Sequence, residues 1–383
     1  MRIALIARRF DPDGGGTERD LLITARFMRA AGHQVAIFAN EVRATDGEFE
    51  INPLLTNTPS RALDLLRFAY LGPVLVRRTG ADLIVSFARA VNCDVLRAGG
   101  GVHATYVRMA RRWRSAAHAA AMHLSPYHRV QMFIERRAFA AKSLRLVIAV
   151  SDLVRRDMIT TLGLQESKAV TLYNGVDTER FTPPIDEAKR RRIRAEFAIP
   201  PSARVVIFAG NGFARKGLGY LIESLPAIEE APYLLVAGRD RTAHRYVRQS
   251  EAVGVGSRVK FLGARTDVPL LMQACDALAL PSMFEPFGNV IAEAMASGLP
   301  VLTSRYCGAA EVVPDSFREF IVPQPERTSE ISSTMNLLMN RLLTRPVELR
   351  EAARKAAETL SWSAHGQRLD LLLKETAQAK ADH

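Results

Sequence analysis

The run Pro281-Ser-Met-Phe-Glu-Pro-Phe-Gly-Asn-Val-Ile-Ala-Glu-Ala-Met-Ala-Ser-Gly-Leu-Pro300 decides the fold, because it contains a loop and a helix between two apolar segments. Residues 277–280 before it and 301–302 after it have the composition of buried strands. Gly298 and Pro300 are typical of a helix end. This order predicts an α/β fold with a parallel sheet, which binds ligands at the carboxyl ends of its strands.

Two glutamates lie in this run. Glu285 is in the predicted loop, and Glu293 is about one turn into the predicted helix. Each carboxylate can accept two hydroxyl hydrogen bonds, which suits a sugar diol, and the helix start at Asn289 and Val290 suits a phosphate. An isolated glutamate is more often a solvated surface residue. The apolar neighbours of Glu293 favour a binding role instead.

The sequence Glu-Pro-Phe-Gly-Asn-Val-Ile-Ala-Glu over 285–293 resembles the signature of glycosyltransferase family 4, two glutamates separated by seven residues. The resemblance implies the GT-B fold, with two Rossmann-like domains facing across a cleft, and retaining transfer from a nucleotide sugar without a metal. It implies that Glu293 holds the ribose diol and Glu285 the hydroxyls of the donor sugar. The residues expected to line the sugar and phosphate are Phe287, Gly288, Asn289 and Val290.

Length and composition indicate a two-domain globular protein. The chain has 383 residues, of which 48% are hydrophobic and 24% charged. Its three cysteines, Cys93, Cys275 and Cys307, are scattered, which argues against a disulfide framework or a metal cluster and suits a reducing cytosol. No apolar run approaches the roughly 18 residues of a membrane helix. We therefore expect a cytoplasmic protein.

The polar, proline-containing segment 177–186 is the predicted domain boundary. We assign residues 1–176 to an acceptor domain and residues 177–362 to a nucleotide-sugar domain. The resemblance implies that the C-terminal helix, within 363–383, crosses back to pack on the first domain.

A glycine-rich turn follows the first predicted strand, residues 3–7, and leads into a helix at about 17–31 and a second strand at 34–39. This order is half of a doubly wound unit, and Gly15 and Gly16 would let the backbone approach a ligand closely. The alternative is an ordinary tight turn. The family resemblance implies that these glycines face the donor diphosphate.

Asp11-Pro12-Asp13 in the same turn is superficially similar to the Asp-x-Asp metal motif of another transferase fold. Proline and aspartate before glycines are ordinary turn residues, and no further carboxylate joins them. We therefore predict no metal site here.

His103 follows the three glycines at 99–101, in a predicted strand-to-helix junction. The resemblance implies that it contacts the transferred sugar near the reaction centre. A structural histidine is the alternative. Some enzymes of this family that act on the inner core of lipopolysaccharide carry an acidic residue in this loop, where this chain has glycines. The loop therefore does not identify a catalytic base.

Residues 105–145 are strongly basic, in a chain with a net charge of +12. Glu135 is their one acidic residue. The cations are Arg108, Arg111, Arg112, Arg114, Arg129, Arg136, Arg137, Lys142 and Arg145, and the interleaved large side chains are Tyr106, Trp113, Met122, Tyr127, Met132, Phe133 and Phe139. This composition favours an anionic membrane surface. The alternative is a solvated helix pair covering the sheet. We expect no nucleic acid, because no known binding motif is present.

The second half repeats the strand–loop–helix pattern over 204–210, 211–217 and 218–228. Arg215 and Lys216 are adjacent cations in its loop, where a guanidinium and an ammonium can bind phosphate. They resemble the phosphate element of family 4 and would stabilise negative charge on a departing diphosphate. In the same family the loop after the strand at 259–263 contacts the base, which makes Gly263 and Arg265 candidates.

Together these patterns predict a hexosyltransferase whose catalytic residues are Glu285, His103, Arg215 and Lys216. The resemblance is greatest to bacterial glucosyltransferases of the lipopolysaccharide inner core. It implies a UDP-glucose donor, no further cofactor, a glycolipid acceptor and a peripheral position on the inner face of the inner membrane. The alternatives are a polyprenyl or soluble sugar acceptor, or a non-catalytic basic protein that binds membranes or nucleic acid on a GT-B scaffold.

Overall fold

The protein is described by a computed structural model over residues 1–11, 15–44, 47–55, 58–184 and 186–381. The chain divides into two compact units. The first comprises Met1–Arg111, Ser115–Asn174 and Ser363–His383, and the second comprises Arg112–Arg114 and Gly175–Trp362. The predicted boundaries were 176/177 and 362/363.

The first unit is built on a seven-stranded sheet in which every pairing is parallel. Its strands are β1 (Arg2–Phe10), β2 (Gln34–Val42), β3 (Ile51–Pro53), β4 (Leu83–Ser86), β5 (Val95–Ala98), β6 (Leu146–Ala149) and β7 (Ala169–Thr171). They are ordered β3-β2-β1-β4-β5-β6-β7. From β1 the chain moves outwards to β2 and β3 and then returns to place β4 on the other side of β1. The order therefore reverses between β1 and β4, and the loops after these two strands diverge and open a crevice.

Between β1 and β7 the described residues form six α-helices. They are α1 (Gly16–Ala30), α2 (Arg61–Arg77), α3 (His103–Met109), α4 (Ala116–Leu124), α5 (Pro126–Phe139) and α6 (Asp152–Leu162). The core of the unit is formed by apolar residues of the strands and of α1, such as Leu5, Leu21 and Ile37. Parallel strands covered on both faces are expected to be apolar, as β6 is throughout and β4 is up to its last residue, Ser86.

The second unit is built on a six-stranded parallel sheet. Its strands are β8 (Val205–Ala209), β9 (Tyr233–Ala237), β10 (Val259–Gly263), β11 (Ala277–Leu280), β12 (Val301–Ser304) and β13 (Ile321–Val322), in the order β10-β9-β8-β11-β12-β13. The order reverses between β8 and β11, which makes that pair the switch point of this sheet.

The helices of the second unit are α7 (Glu187–Glu196), α8 (Leu218–Ser224), α9 (Ala243–Ala252), α10 (Val268–Gln273), α11 (Asn289–Ala296), α12 (Thr328–Thr344) and α13 (Pro346–Glu358). The helix predicted over 218–228 is shorter than expected. It ends at Ser224 and continues as a single 3-10 turn, because Pro226 has no N–H to donate to the helix.

The last helix, α14 (Trp362–Ala381), packs on the first unit, as predicted. Leu369, Leu372 and Leu373 join the core of that unit. Gly366 is needed for this packing, since a Cβ there would lie 2.4 Å from the Phe27 ring. Two parallel, doubly wound units with a returning C-terminal helix are the predicted fold class. Among the described residues no helix is long and apolar enough to cross a membrane.

Candidate active site

The loops that follow β8 and β11 meet at the switch point of the second sheet. Arg215 and Lys216 come from the first loop, and Glu285 comes from the second. Lys216 Nζ donates to Glu285 Oε2 at 2.5 Å, and Arg215 Nη1 donates to the same oxygen at 3.0 Å. The structure therefore brings together three of the four residues that were predicted to be catalytic.

Backbone geometry holds the two cations in place. Gly210, at the end of β8, has φ of +135°, and a Cβ there would lie 2.7 Å from Lys216 Cε. The Lys216 side chain thus packs directly against Gly210, where the Cβ of any other residue would collide with it. Arg215 ties the two loops together, because its carbonyl accepts from the Met283 N–H at 2.8 Å and its Nη1 donates to the Phe284 carbonyl at 2.5 Å.

A third loop, after β12, fixes the backbone of Glu285. The Glu285 N–H donates to the Tyr306 carbonyl at 2.9 Å, and the Gly308 N–H donates to the Glu285 carbonyl at 2.9 Å. The Glu285 side chain is 13% exposed. Its carboxylate is therefore held rigidly but remains accessible to a ligand.

The charges around Glu285 decide its ionisation. Burial raises its pKa, but attraction to Lys216 and Arg215 and their hydrogen bonds outweigh burial and lower the pKa from 4.5 to about 2. Glu285 is therefore ionised at neutral pH. Among the described residues both cations contact Oε2, so Oε1 is available to accept a ligand hydroxyl.

Helix α11 begins directly beside this carboxylate. Its N-cap, Gly288, has φ of +96°, and a Cβ there would lie 3.1 Å from Glu285 Cγ and 2.9 Å from Cys307 Sγ. Asn289 and Val290 form the first turn, where the helix dipole favours a negative group. The predicted phosphate-binding turn is therefore adjacent to Glu285.

Glu293 lies one turn further along α11. It is partly exposed, whereas Ile291, Ala292 and Ala294 around it are buried. The helix thus places a single carboxylate on its accessible side. Phe287 is only 3% exposed, and its carbonyl accepts from the Ala309 N–H at 2.8 Å. Its side chain lies in the interior of the unit.

Gly263 and Arg265, the predicted base-contacting residues, lie at the end of β10 and in the loop after it. The Gly263 carbonyl accepts from the Gly238 N–H at 2.7 Å. The Arg265 guanidinium binds both oxygens of Asp267, at 2.8 and 2.6 Å. Their strand ends at the same sheet edge as β8, with β9 between the two.

His103, the fourth predicted catalytic residue, begins α3 in the first unit. Its Nε2 lies 2.9 Å from His128 Nδ1, and the two rings stack with centroids 5.1 Å apart. Burial, then the charges of Arg89 and His128, lower the His103 pKa from 6.5 to about 3. The imidazole is therefore neutral at physiological pH and acts as a hydrogen-bonding group.

The buried carboxylate of Glu135 holds the start of α3. It accepts from the His103 N–H at 2.9 and 3.0 Å, and from Arg89 Nε at 2.7 Å. The sequence identified Glu135 only as the one acid in a basic segment. That isolation was the available signal, because a lone acid among nine cations is expected to have a fixed partner.

Gly15 and Gly16 stand at the start of α1 in the first unit, where Gly15 is the extended N-cap. The adjacent Thr17 and Glu18 line a cavity of about 730 Å³ at the crevice between β1 and β4. Pro12 and Asp13 of the discounted metal motif lie outside the described residues. Within the described part of the chain, no group of three His, Cys, Asp or Glu side chains is arranged to hold a metal ion.

The basic segment 105–145 forms α3, α4, α5 and their connections. Seven of its nine cations are exposed, while Arg112 and Arg145 are half-buried. Aromatic side chains were expected on the surface of this segment, but most of its large side chains are not exposed. Phe133 is exposed, and the other six are buried or half-buried. The surface of this segment is thus mainly cationic.

Comparison with known proteins gives the class. Residues 14–180 match the family Glycosyltransferase Family 4, and residues 189–359 match Glycosyl transferases group 1. The first match covers most of the first unit but not β1 or α14, and the second match covers most of the second unit. The chain belongs to glycosyltransferase family 4, has the GT-B fold and is a hexosyltransferase.

Individual relatives share only about a quarter of their residues with this chain. Lipopolysaccharide glucosyltransferase WaaG of Escherichia coli is 25% identical, with 88% of each chain covered. D-inositol 3-phosphate glycosyltransferase of Corynebacterium glutamicum is 26% identical, with 98% of this chain and 97% of the relative covered. A crystal structure of WaaG matches with a TM-score of 0.79 at 23% identity, over 96% of this chain and 98% of that one. The crystal structure of HepE of Anabaena in complex with UDP-glucose matches with a TM-score of 0.75 at 20% identity, over 98% of this chain and 100% of that one.

Proposed function

We propose that the protein transfers glucose from UDP-glucose to a glycolipid related to the lipopolysaccharide core, with retention of anomeric configuration. The observation that carries the proposal is the ionised Glu285 held between Lys216 and Arg215 at the β8/β11 switch point. An acid for sugar hydroxyls next to two cations for a diphosphate is the combination that an activated sugar requires.

The donor lies on the second unit in this proposal. Glu285 accepts hydroxyls of the glucose, and Glu293 accepts the ribose diol. Arg215, Lys216 and the start of α11 stabilise the diphosphate as negative charge develops on it. HepE, which has the same fold, binds UDP-glucose, and this supports the choice of donor.

Transfer occurs on one face of the sugar. The bond from the anomeric carbon to the phosphate oxygen breaks, and a bond to the acceptor oxygen forms on the same side. The departing phosphate oxygen takes the acceptor proton, so no carboxylate is assigned as nucleophile. His103, which its low pKa keeps uncharged at physiological pH, donates a hydrogen bond to the transferred sugar in this proposal. We expect no metal and no cofactor besides the donor.

The acceptor is a glycolipid at the inner face of the inner membrane. The likeness to WaaG supports a lipopolysaccharide core, and the net charge of +12 with the exposed cations of 105–145 supports an anionic surface. A soluble sugar phosphate is the second candidate, since D-inositol 3-phosphate glycosyltransferase is equally similar over more of the chain.

Release of labelled glucose from UDP-glucose in the absence of acceptor tests the donor half. We expect slow hydrolysis by the wild type and almost none by Glu285→Ala. Glu229→Ala, which removes an exposed carboxylate of the same unit, serves as the control and should hydrolyse normally. If Glu285→Ala hydrolysed UDP-glucose as fast as wild type, the donor assignment would be wrong. If no nucleotide sugar were hydrolysed or bound, a non-catalytic role would be favoured.

The acceptor half is tested separately by offering lipopolysaccharide truncated at the inner core, a polyprenyl phosphate and D-inositol 3-phosphate with the same donor. Glucose incorporated only into the truncated lipopolysaccharide is the expected result. Incorporation of glucose into the polyprenyl phosphate or D-inositol 3-phosphate would show that the proposed acceptor is wrong, but it would leave the enzyme class unchanged.

A further inference from the structure

One cation of the basic segment is placed differently from its neighbours. Residues Arg112–Arg114 belong to the second unit, whereas the chain on both sides of them belongs to the first. Arg112 is half-buried, while Arg111 and Arg114 are exposed. Exposed cations can serve a membrane surface, but a half-buried arginine is usually paired within the protein. The partners of Arg112 therefore indicate what it does.

Three side chains of the second unit hold Arg112. Its Nη1 donates to both carboxylate oxygens of Glu326, at 3.1 and 3.0 Å, and its Nη2 donates to the Tyr306 hydroxyl at 2.8 Å. Its guanidinium carbon lies 4.1 Å from the centroid of the Tyr306 ring, within the range of a cation–π contact. The Tyr220 hydroxyl donates to the Arg112 carbonyl at 3.2 Å. Both the backbone and the side chain of Arg112 are thus fixed.

The tyrosine that Arg112 holds belongs to the loop that supports Glu285. Tyr306 follows β12, and its carbonyl accepts from the Glu285 N–H at 2.9 Å. Two residues later, the Gly308 N–H donates to the Glu285 carbonyl at 2.9 Å. This loop therefore fixes the Glu285 backbone through both its N–H and its carbonyl. A displacement of Tyr306 would displace the Glu285 carboxylate with it.

The ionisation of Glu285 has a separate support. Burial raises the pKa of Glu285, and Lys216 and Arg215 lower it, to about 2 overall. Among the contacts of the described residues, those two cations bind the carboxylate and Arg112 does not. Removal of Arg112 should therefore leave Glu285 ionised but less well placed.

We propose that Arg112 is a positioning residue for Glu285 and acts through Tyr306. This inference rests on the proposed function, in which Glu285 accepts hydroxyls of the donor sugar. The nucleotide of the donor does not contact Glu285 in that function. Loss of Arg112 should therefore weaken binding of the nucleotide sugar and spare binding of the nucleotide. A purely structural residue would affect both ligands alike.

Calorimetric titration of the full chain with UDP and with UDP-glucose, without acceptor or lipid, tests the proposal. We expect Arg112→Gln to weaken UDP-glucose binding by about tenfold and to leave UDP binding unchanged. Arg112→Lys keeps the charge but not the planar fork of donors, so it should restore part of the affinity. Tyr306→Phe keeps the ring and the carbonyl but removes the hydroxyl, and it should weaken UDP-glucose alone, by less than Arg112→Gln.

Arg341→Gln is the matched control. It breaks an ion pair with Glu319 in the same unit, and that pair is exposed to a similar extent as the pair of Arg112 with Glu326. This variant should bind both ligands like wild type. An equal effect of Arg341→Gln and Arg112→Gln would overturn the proposal, because it would show a general response to the loss of a surface ion pair.

Equal loss of UDP and UDP-glucose binding in Arg112→Gln would also overturn the proposal, since it would show a purely structural role. Wild-type binding of UDP-glucose by both Arg112→Gln and Tyr306→Phe would do the same. Glu285→Ala separates this failure from that of the proposed function. If Glu285→Ala lost affinity for UDP-glucose while the Arg112 and Tyr306 variants kept it, only the positioning role would be wrong. If Glu285→Ala bound UDP-glucose like wild type, the proposed function would fail and the positioning role with it.

Discussion

Lys216 Nζ and Glu285 Oε2 lie 2.5 Å apart, although 69 positions separate the two residues in sequence. The contact joins the loops after β8 and β11, which are neighbouring strands of the second sheet. The parallel pairing of these strands thus places an acid and a cation at one point of the carboxyl edge. The following predictions depend on that point and on the surfaces of the first unit.

Lys216→Met should reduce kcat by roughly a hundredfold or more, because in the proposed mechanism Lys216 stabilises the departing diphosphate. Steady-state transfer or donor hydrolysis measures the effect. Lys355→Met, which removes an exposed lysine from α13, is the control and should retain activity. A Lys216→Met enzyme with normal kcat would show that the ammonium serves only to hold Glu285.

The pH dependence of stability should report the pKa of Glu285. Its folded pKa, about 2, is below the ordinary value of 4.5, so the stabilisation is complete above pH 4.5 and is lost as the pH falls towards 2. The difference in unfolding free energy between wild type and Glu285→Gln should be constant at higher pH and decrease below about pH 4.5. Urea unfolding at a series of pH values measures it. A difference that stays constant down to pH 3 would contradict the low pKa.

Gly288→Ala should impair donor binding as well as stability. The backbone at φ +96° costs a non-glycine residue about 1–2 kcal/mol, and the new Cβ would press on Glu285 Cγ and Cys307 Sγ. Gly254→Ala is the matched control, since Gly254 has φ of +76° but no atom within 4 Å of a Cβ. Thermal unfolding should show a loss in both variants, whereas titration with UDP-glucose should show a loss of affinity in Gly288→Ala alone.

His103 should stay neutral through the physiological range. Its pKa of about 3 predicts that its ring resonances do not shift between pH 5 and 8 in the folded protein. The same resonances in urea-unfolded protein should titrate near the ordinary value of about 6.5. Because the unfolded state binds the proton more readily, this residue destabilises the fold as the pH falls below about 6.5. A titration of the folded-state signal near pH 6.5 would disprove the burial argument.

The basic segment should bind vesicles only when they contain anionic lipid. We expect Arg136→Gln/Arg137→Gln to weaken flotation with such vesicles, at about 1 kcal/mol for each lost cation. The exposed pair Arg191 and Arg192 of α7 provides a control with the same charge change, and Arg191→Gln/Arg192→Gln should float like wild type. Binding that is independent of lipid charge would remove the membrane proposal.

Several features could be read from sequence because they depend on local patterns. The apolar runs that became β1, β8 and β11 were short, and Gly210 and Pro281 follow the last two, so their order predicted α/β units. The family resemblance then implied that there are two of them. The Glu285–Glu293 run identified the family and with it the loop and helix of the candidate site. The shortened helix α8 was mispredicted, since Pro226 was not weighed as a helix end.

The sequence by itself determined the class of enzyme, the two α/β units and the candidate residues in the loops after β8 and β11. Only the tertiary structure decided that Lys216 and Arg215 share one oxygen of Glu285 and that Glu135 and His128 surround His103. The reason is that periodicity and turn chemistry act over a few neighbouring residues. Distances, burial and pKa values depend on segments that only the pairing of strands brings together.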